Sequence, residues 1–182
     1  DPGATIAAGF TRKFDTAEVR AALANQTLES LVKWWPAKAG ETYFTPAKTV
    51  HAVGAGLVIC EIQQNSDVTF RLWDYGRPRP LHVEQSMAVA DLRPHPGPVD
   101  ARGATLAECP YFVTERYVID GRVDHASDPD RFHLLIAVSG AGEIANDTGA
   151  WPIHAGDCWL VPACLGEYSL TGSLTLLRVY VP

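Results

Sequence analysis

A turn-and-strand unit that occurs twice limits what this chain can fold into more than any other feature. Residues Ala39 to Ala52 read AGETYFTPAKTVHA, and residues Ala155 to Tyr168 read AGDCWLVPACLGEY. Aligning Gly40 with Gly156 places Pro46 on Pro162, Ala47 on Ala163 and His51 on Glu167, and an acidic residue, Glu41 or Asp157, follows each glycine. Self-similarity with matched turn residues marks a duplicated supersecondary unit. From Glu41 onward, short segments rich in Val, Ile, Thr, Tyr, Phe and Trp are separated by Gly, Pro and Asn, the texture of an all-β sandwich or barrel. The expected fold is mainly β, with a small helical insertion near the N-terminus. After an opening apolar strand, Asp15 is placed to cap a helix running to Leu23, with Glu18 at the capping-box spacing. Thr27 is placed to cap a second helix over Leu28 to Trp34, which Pro36 ends.

Arg93 to Ala107, RPHPGPVDARGATLA, holds three prolines and two glycines without periodicity and reads as a linker between residues 1–92 and 108–182. Each flank has the size of one small β-unit. A formal net charge of −6 and the lack of a Lys/Arg cluster exclude a nucleic-acid partner, whose phosphates would need neutralising. Apolar runs such as Leu57 to Cys60 fall far short of the ~20 residues that cross a bilayer, so no membrane partner is expected. The opening DPGATIAAGF lacks the basic and apolar regions of a signal peptide. Cys60, Cys109, Cys158 and Cys164 fit no zinc spacing and read as reduced, mostly buried thiols of a cytoplasmic protein.

Chemistry-bearing residues concentrate between Gly40 and Arg77. His51 sits where a turn aims an imidazole into a barrel, with Gly54 and Gly56 letting the chain bend away, and neutral imidazole is a good zinc ligand. In LVICEIQ, strand alternation sets Glu61 among apolar neighbours, where a carboxylate needs a partner. Arg71, on the next predicted strand VTFRLWD, is the candidate partner. On pattern alone this pair reads as a structural cross-strand ion pair.

The repeated pattern G-[DE]-x-x-x-x-P-A-x-x-x-[HE] resembles the second conserved motif of cupins, jelly-roll β-barrels in which that histidine ligates a metal. SGAGEI, Ser139 to Ile144, resembles the glycine turn that ends their first motif. A double cupin is implied, its second barrel degenerate and without a metal site because Glu167 replaces the histidine. Further, Pro46 to His82, PAKTVHAVGAGLVICEIQQNSDVTFRLWDYGRPRPLH, resembles the signature region of type I mannose-6-phosphate isomerases in their short bacterial form. DPGATIAAGF and the closing LLRVYVP resemble other segments of that family, so the likeness covers essentially the whole chain.

That resemblance implies a zinc-dependent interconversion of mannose 6-phosphate and fructose 6-phosphate, with His51 as a zinc ligand, Glu61 as the active-site glutamate and Arg71 as the catalytic arginine. Glu61 either orients Arg71 or acts on a hydroxyl proton. Lys48 stands where many members carry Gly; aimed inward it would help hold phosphate, aimed outward it is a surface lysine. Arg12 and Lys13 are further candidates for the sugar phosphate, against the plainer reading of a solvated charge pair. Arg77 is open to both phosphate binding and structural use. The family's remaining zinc ligands come from Q-V-H-P and K-T-E motifs, neither of which occurs here. Residues 1–92 are therefore expected to be a catalytic cupin lacking its N-terminal strands and motif, within the C-terminal part of a longer isomerase. About 80 further residues would be supplied in cis or as a separate chain. The isolated chain is expected to be inactive, and its measured turnover of mannose 6-phosphate checks this. The alternatives are a non-catalytic cupin that binds or senses a phosphosugar, and a structural lobe that pairs with a separate chain.

Overall fold

The computed structural model describes residues 1–182, which form two compact units, Asp1–Val99 and Asp100–Pro182. In the first unit, β1 (Thr5–Phe10) lies between β2 (Val32–Pro36) and β3 (His51–Val53) in a three-stranded antiparallel sheet. Helix α1 (Thr16–Ala24) starts as its capping signal predicts: the Glu18 amide donates to Asp15 Oδ1 at 2.8 Å and the Asp15 amide donates to Glu18 Oε2 at 2.9 Å. Phe10, Val19, Leu28, Leu72 and Met87 gather in the core that this helix covers. The second expected helix does not form. Leu28–Ser30 makes only a 3-10 turn, the Thr27 side chain caps nothing, and Val32–Pro36 pairs with β1 instead. A β-branched and aromatic stretch, VKWWP, gains more from a ladder against β1 than from continuing a helix. A short helix that the sequence pattern did not suggest, α2 (Val83–Val89), adds Met87 to the core.

The predicted strands LVICEIQ and VTFRLWD are absent as strands. Residues 54–73 carry no regular secondary structure, and Val58, Val68 and Phe70 are exposed, Val58 fully. Alternation can specify which side chains share a face, but a strand exists only where a neighbour takes its N–H and C=O groups. Neither segment joins a sheet. Of the stretch 93–107 read as a linker, the first part is tied into the first unit: His95 contacts the Phe44 carbonyl through Nε2 at 2.8 Å, and the Val99 amide donates to Thr42 at 2.7 Å. Thr105–Glu108 belongs to the second unit, as β4.

That unit is one six-stranded antiparallel sheet of β4, β5 (Val113–Ala126), β6 (His133–Asn146), β7 (Gly149–His154), β8 (Cys158–Val161) and β9 (Glu167–Tyr180). The order is β4-β5-β9-β6-β7, with β8 also on β6. The long strands bend where glycines meet: Gly121 (φ +97) pairs with Gly172 (φ +134), and Gly140 (φ +80) pairs with Leu174. Only glycine holds these backbone angles cheaply. The bend lets the two halves of the sheet face each other, as one contact makes plain. Tyr117 and His125 lie on the same strand, where straight extension would separate them by about 26 Å, yet their ring centroids are 6.0 Å apart. Ile119, Leu135, Ile153, Val161, Leu170 and Leu176 fill the interior.

None of the four cysteines forms a disulfide, but the expectation of buried thiols fails: Cys60, Cys158 and Cys164 are exposed and Cys109 is half-buried. They sit in turns or on outward-facing positions, where apolar sequence neighbours say little about depth. No helix is long and apolar enough to cross a membrane.

Candidate functional site

The two copies of the repeated unit build the same local structure. In one, the Lys38 amide donates to Glu41 Oε2 at 3.0 Å; in the other, the His154 amide donates to Asp157 Oδ2 at 2.7 Å. Between them, Gly40 (φ +83) and Gly156 (φ +97) turn the chain. A second turn follows at the prolines, with the Thr49 amide on the Pro46 carbonyl and the Leu165 amide on the Pro162 carbonyl, both at 3.1 Å. His51 then opens β3, and Glu167 opens β9. The acidic residue after each glycine is thus a turn cap, and the aligned His and Glu occupy matching starts of strands.

Within this frame His51 is exposed, anchored by its strand pairing to Ala8, and its Nδ1 lies 2.9 Å from the Thr49 carbonyl. With Nδ1 donating, the ring takes the tautomer whose Nε2 lone pair is available, which is how a metal-binding imidazole is usually oriented. Lys48 sits at φ +79, a conformation that favours glycine, and its side chain is exposed. Its carbonyl accepts from the Asp91 amide at 2.9 Å.

Glu61 and Arg71 do not meet as predicted. Glu61 is exposed rather than buried, and no ion pair joins it to Arg71. Without ladders to hold Leu57–Gln63 against Val68–Asp74, neither the register nor the depth that would pair them is set. Arg71 is half-buried and locally fixed: its amide donates to His82 Nδ1 at 3.1 Å, its carbonyl accepts from the His82 amide at 2.8 Å, and Nη1 donates to the Pro80 carbonyl at 3.1 Å. Nε and Nη2 are left over for another acceptor.

The other basic candidates divide clearly. Arg12 forks onto Glu18 at 2.7 Å and lies 3.8 Å from the Phe14 ring centroid, so its charge is engaged. Lys13 is exposed with no ion-pair partner. Arg77 and Arg79 both clasp Asp74, a carboxylate that is 3% exposed. Hydrogen bonding from Arg79, with the charge of Arg77 behind it, holds that carboxyl below its usual range. Sequence reasoning missed Asp74. The signal available was an acid followed at short range by two arginines among turn-forming prolines, R-P-R-P.

His51, Glu61 and Arg71 therefore lie on one continuous stretch but not in one closed constellation. No group of three or more His, Cys, Asp or Glu side chains comes together in the chain as a metal site.

Residues 103–181 match the family model described as mannose-6-phosphate isomerase, cupin domain. A mannose-6-phosphate isomerase of Bacillus subtilis is 32% identical over 158 residues, covering 79% of this chain and 50% of that protein. The Streptococcus mutans enzyme is 30% identical over 191 residues, covering 97% of this chain and 60% of its own length. The chain thus spans about half the length of the curated relatives it matches. Among solved structures, the mannose 6-phosphate isomerase of Bacillus subtilis superposes on 98% of this chain and 61% of its own, at 27% identity and a TM-score of 0.88. That of Salmonella typhimurium, bound to fructose 6-phosphate and zinc, shares the fold at 18% identity and a TM-score of 0.65, over 91% of this chain and 49% of its own.

Proposed function

Because the chain belongs to the type I mannose-6-phosphate isomerases of the cupin superfamily, we propose that it is the C-terminal part of a zinc-dependent isomerase interconverting mannose 6-phosphate and fructose 6-phosphate. The observation that carries this reading is the superposition of 98% of the chain on the Bacillus subtilis isomerase. The unladdered stretch 54–73, with Val58, Val68 and Phe70 exposed, supports the same reading, since strands from a preceding segment would cover these side chains and take up their backbone groups. The first unit is then an incomplete catalytic cupin and the second a cupin without metal.

Of the zinc ligands, this chain contributes His51 through Nε2, its Nδ1 being held by the Thr49 carbonyl. That donor suits zinc, and the remaining ligands come from outside these residues. Zinc, when bound, supplies Lewis acidity to the sugar oxygens. Arg71 presents Nε and Nη2 to the oxygen that gains charge as the proton moves between C1 and C2, while Nη1 stays on Pro80. Glu61, once covered, either steadies Arg71 or takes a hydroxyl proton. Among the basic residues, Lys48 stands on the same turn as His51 and is the nearest in sequence to it; Arg12 is committed to Glu18, and Lys13 is free to meet a phosphate.

A non-catalytic cupin that binds a phosphosugar is the second reading, favoured by the single metal-binding histidine. One experiment separates the two. Native mass spectrometry of the protein from the full reading frame is expected to show about one zinc per chain, lost in His51→Ala together with mannose 6-phosphate turnover. Zinc content untouched by the substitution, or no turnover by the intact protein, would overturn the proposal.

A further inference from the structure

The second unit carries polar chemistry on its inner face that the isomerase reading does not use. Glu115 on β5 is the cross-strand partner of Arg178 on β9, and both side chains are largely buried, 14% and 23% exposed. Arg178 donates through Nε at 2.8 Å and Nη2 at 2.6 Å, and Tyr117 donates its hydroxyl at 3.2 Å, all to the same oxygen, Glu115 Oε2. Glu115 Oε1 and Arg178 Nη1 remain unspent. Aromatic rings surround the pair: the guanidinium lies 4.9 Å from the Tyr117 centroid and 5.5 Å from that of Tyr180, and His125 stacks on Tyr168 at 5.5 Å.

A second observation points to a missing ligand. His133 is 5% exposed and tilts against Tyr180 at 5.3 Å, yet its Nδ1 is buried with no hydrogen-bond partner. It lies two residues before Leu135, which pairs with Arg178, so His133 shares the inner face with that arginine. A buried polar atom left unpaired costs free energy that a ligand would recover. Burial first, then the charge of Arg178, pushes both His133 and His125 below the ordinary histidine pKa.

These groups also select the ligand. A bare anion would meet Glu115, a bare cation would meet Arg178, and a purely apolar molecule would leave His133 Nδ1 orphaned. A neutral polyhydroxylated ring suits all of them: one hydroxyl would donate to Glu115 Oε1, a second to His133 Nδ1, a third would accept from Arg178 Nη1, and its C–H face would lie on tyrosine. We propose that this end of the second unit is a binding site for a neutral sugar or polyol, separate from the phosphosugar chemistry of the first unit.

The test follows the imidazole nitrogen resonances of His133 and His125 during titration of the chain with a free hexose, and separately with its 6-phosphate. Expected is saturable, millimolar binding of the free hexose that shifts His133. Affinity should weaken about tenfold or more, worth ~1.4 kcal/mol, in Tyr180→Leu and in Glu115→Gln, with far-UV dichroism unchanged. Should Glu115→Gln fail to fold, Tyr180→Leu decides. A His133 resonance indifferent to hexose, affinity unchanged by the substitutions, or tighter binding of the phosphorylated sugar would each sink the assignment. None of these readouts involves zinc or turnover, so the proposal for the first unit stands or falls separately.

Discussion

Arg71→Ala in the full-length protein is expected to lower kcat for mannose 6-phosphate by about 100- to 1,000-fold, the usual loss when one preorganised donor to a developing oxyanion is removed. Zinc content should stay at the wild-type value, because the His51 ring is held by Thr49 and not by Arg71. The local fold should also survive. The backbone of residue 71 keeps both hydrogen bonds to His82; the Nη1 hydrogen bond to Pro80 is lost, as is the charge Arg71 adds near Asp74, which Arg77 and Arg79 still clasp. Arg71→Lys should recover little, since an ammonium cannot reproduce the planar fork that leaves Nε and Nη2 free while Nη1 is engaged. Steady-state kinetics with metal analysis on the same preparations reads this. A loss below about threefold would mean that Arg71 does not act on charge that develops in the transition state.

The second large effect is on stability and contrasts two glycines of one bend. A Cβ on Gly140 would lie 2.1 Å from the Ser173 carbonyl oxygen and 2.7 Å from Leu174 Cα, on a residue at φ +80. Backbone on the partner strand cannot step aside without breaking the β6–β9 ladder. Gly140→Ala is therefore expected to cost about 3 kcal/mol or more, from overpacking added to the strain of positive φ. Gly121 sits at φ +97, but a Cβ there meets nothing within 4 Å, so Gly121→Ala should cost only the conformational part, about 1 kcal/mol. For a unit of this size the difference is roughly 10 °C in melting temperature. Near-UV dichroism of Trp151 and Trp159, both in this unit, follows the transition. Equal shifts for the two variants would show that the bend is not packed against β9 as described.

Which parts were legible in the sequence follows from how far apart the interacting groups lie. Asp15 and Glu18, the glycine turns with their acidic caps, and the proline turns before His51 and Glu167 all form from groups a few residues apart, so spacing alone locates them. The β-rich class was legible for the same reason: turn residues and β-formers alternate locally. Placement of His51 at the start of a strand came from the repeat, and its free Nε2 from a contact to a carbonyl two residues away.

Tertiary structure alone decided the rest. Leu57–Gln63 and Val68–Asp74 have the alternation of strands, but a strand is completed by a ladder of hydrogen bonds to another strand, and neither segment is part of either sheet. Glu61 and Arg71, sorted onto faces by that alternation, consequently remain apart. Conversely, Glu115 and Arg178 are 63 residues apart and no local pattern links them, yet fourteen-residue strands in register bring them together. The bend at Gly121, Gly140 and Gly172 then sets His125 against Tyr117. Short-range contacts are written in the order of the residues; cross-strand register and the presence of a partner are properties of the assembled sheet.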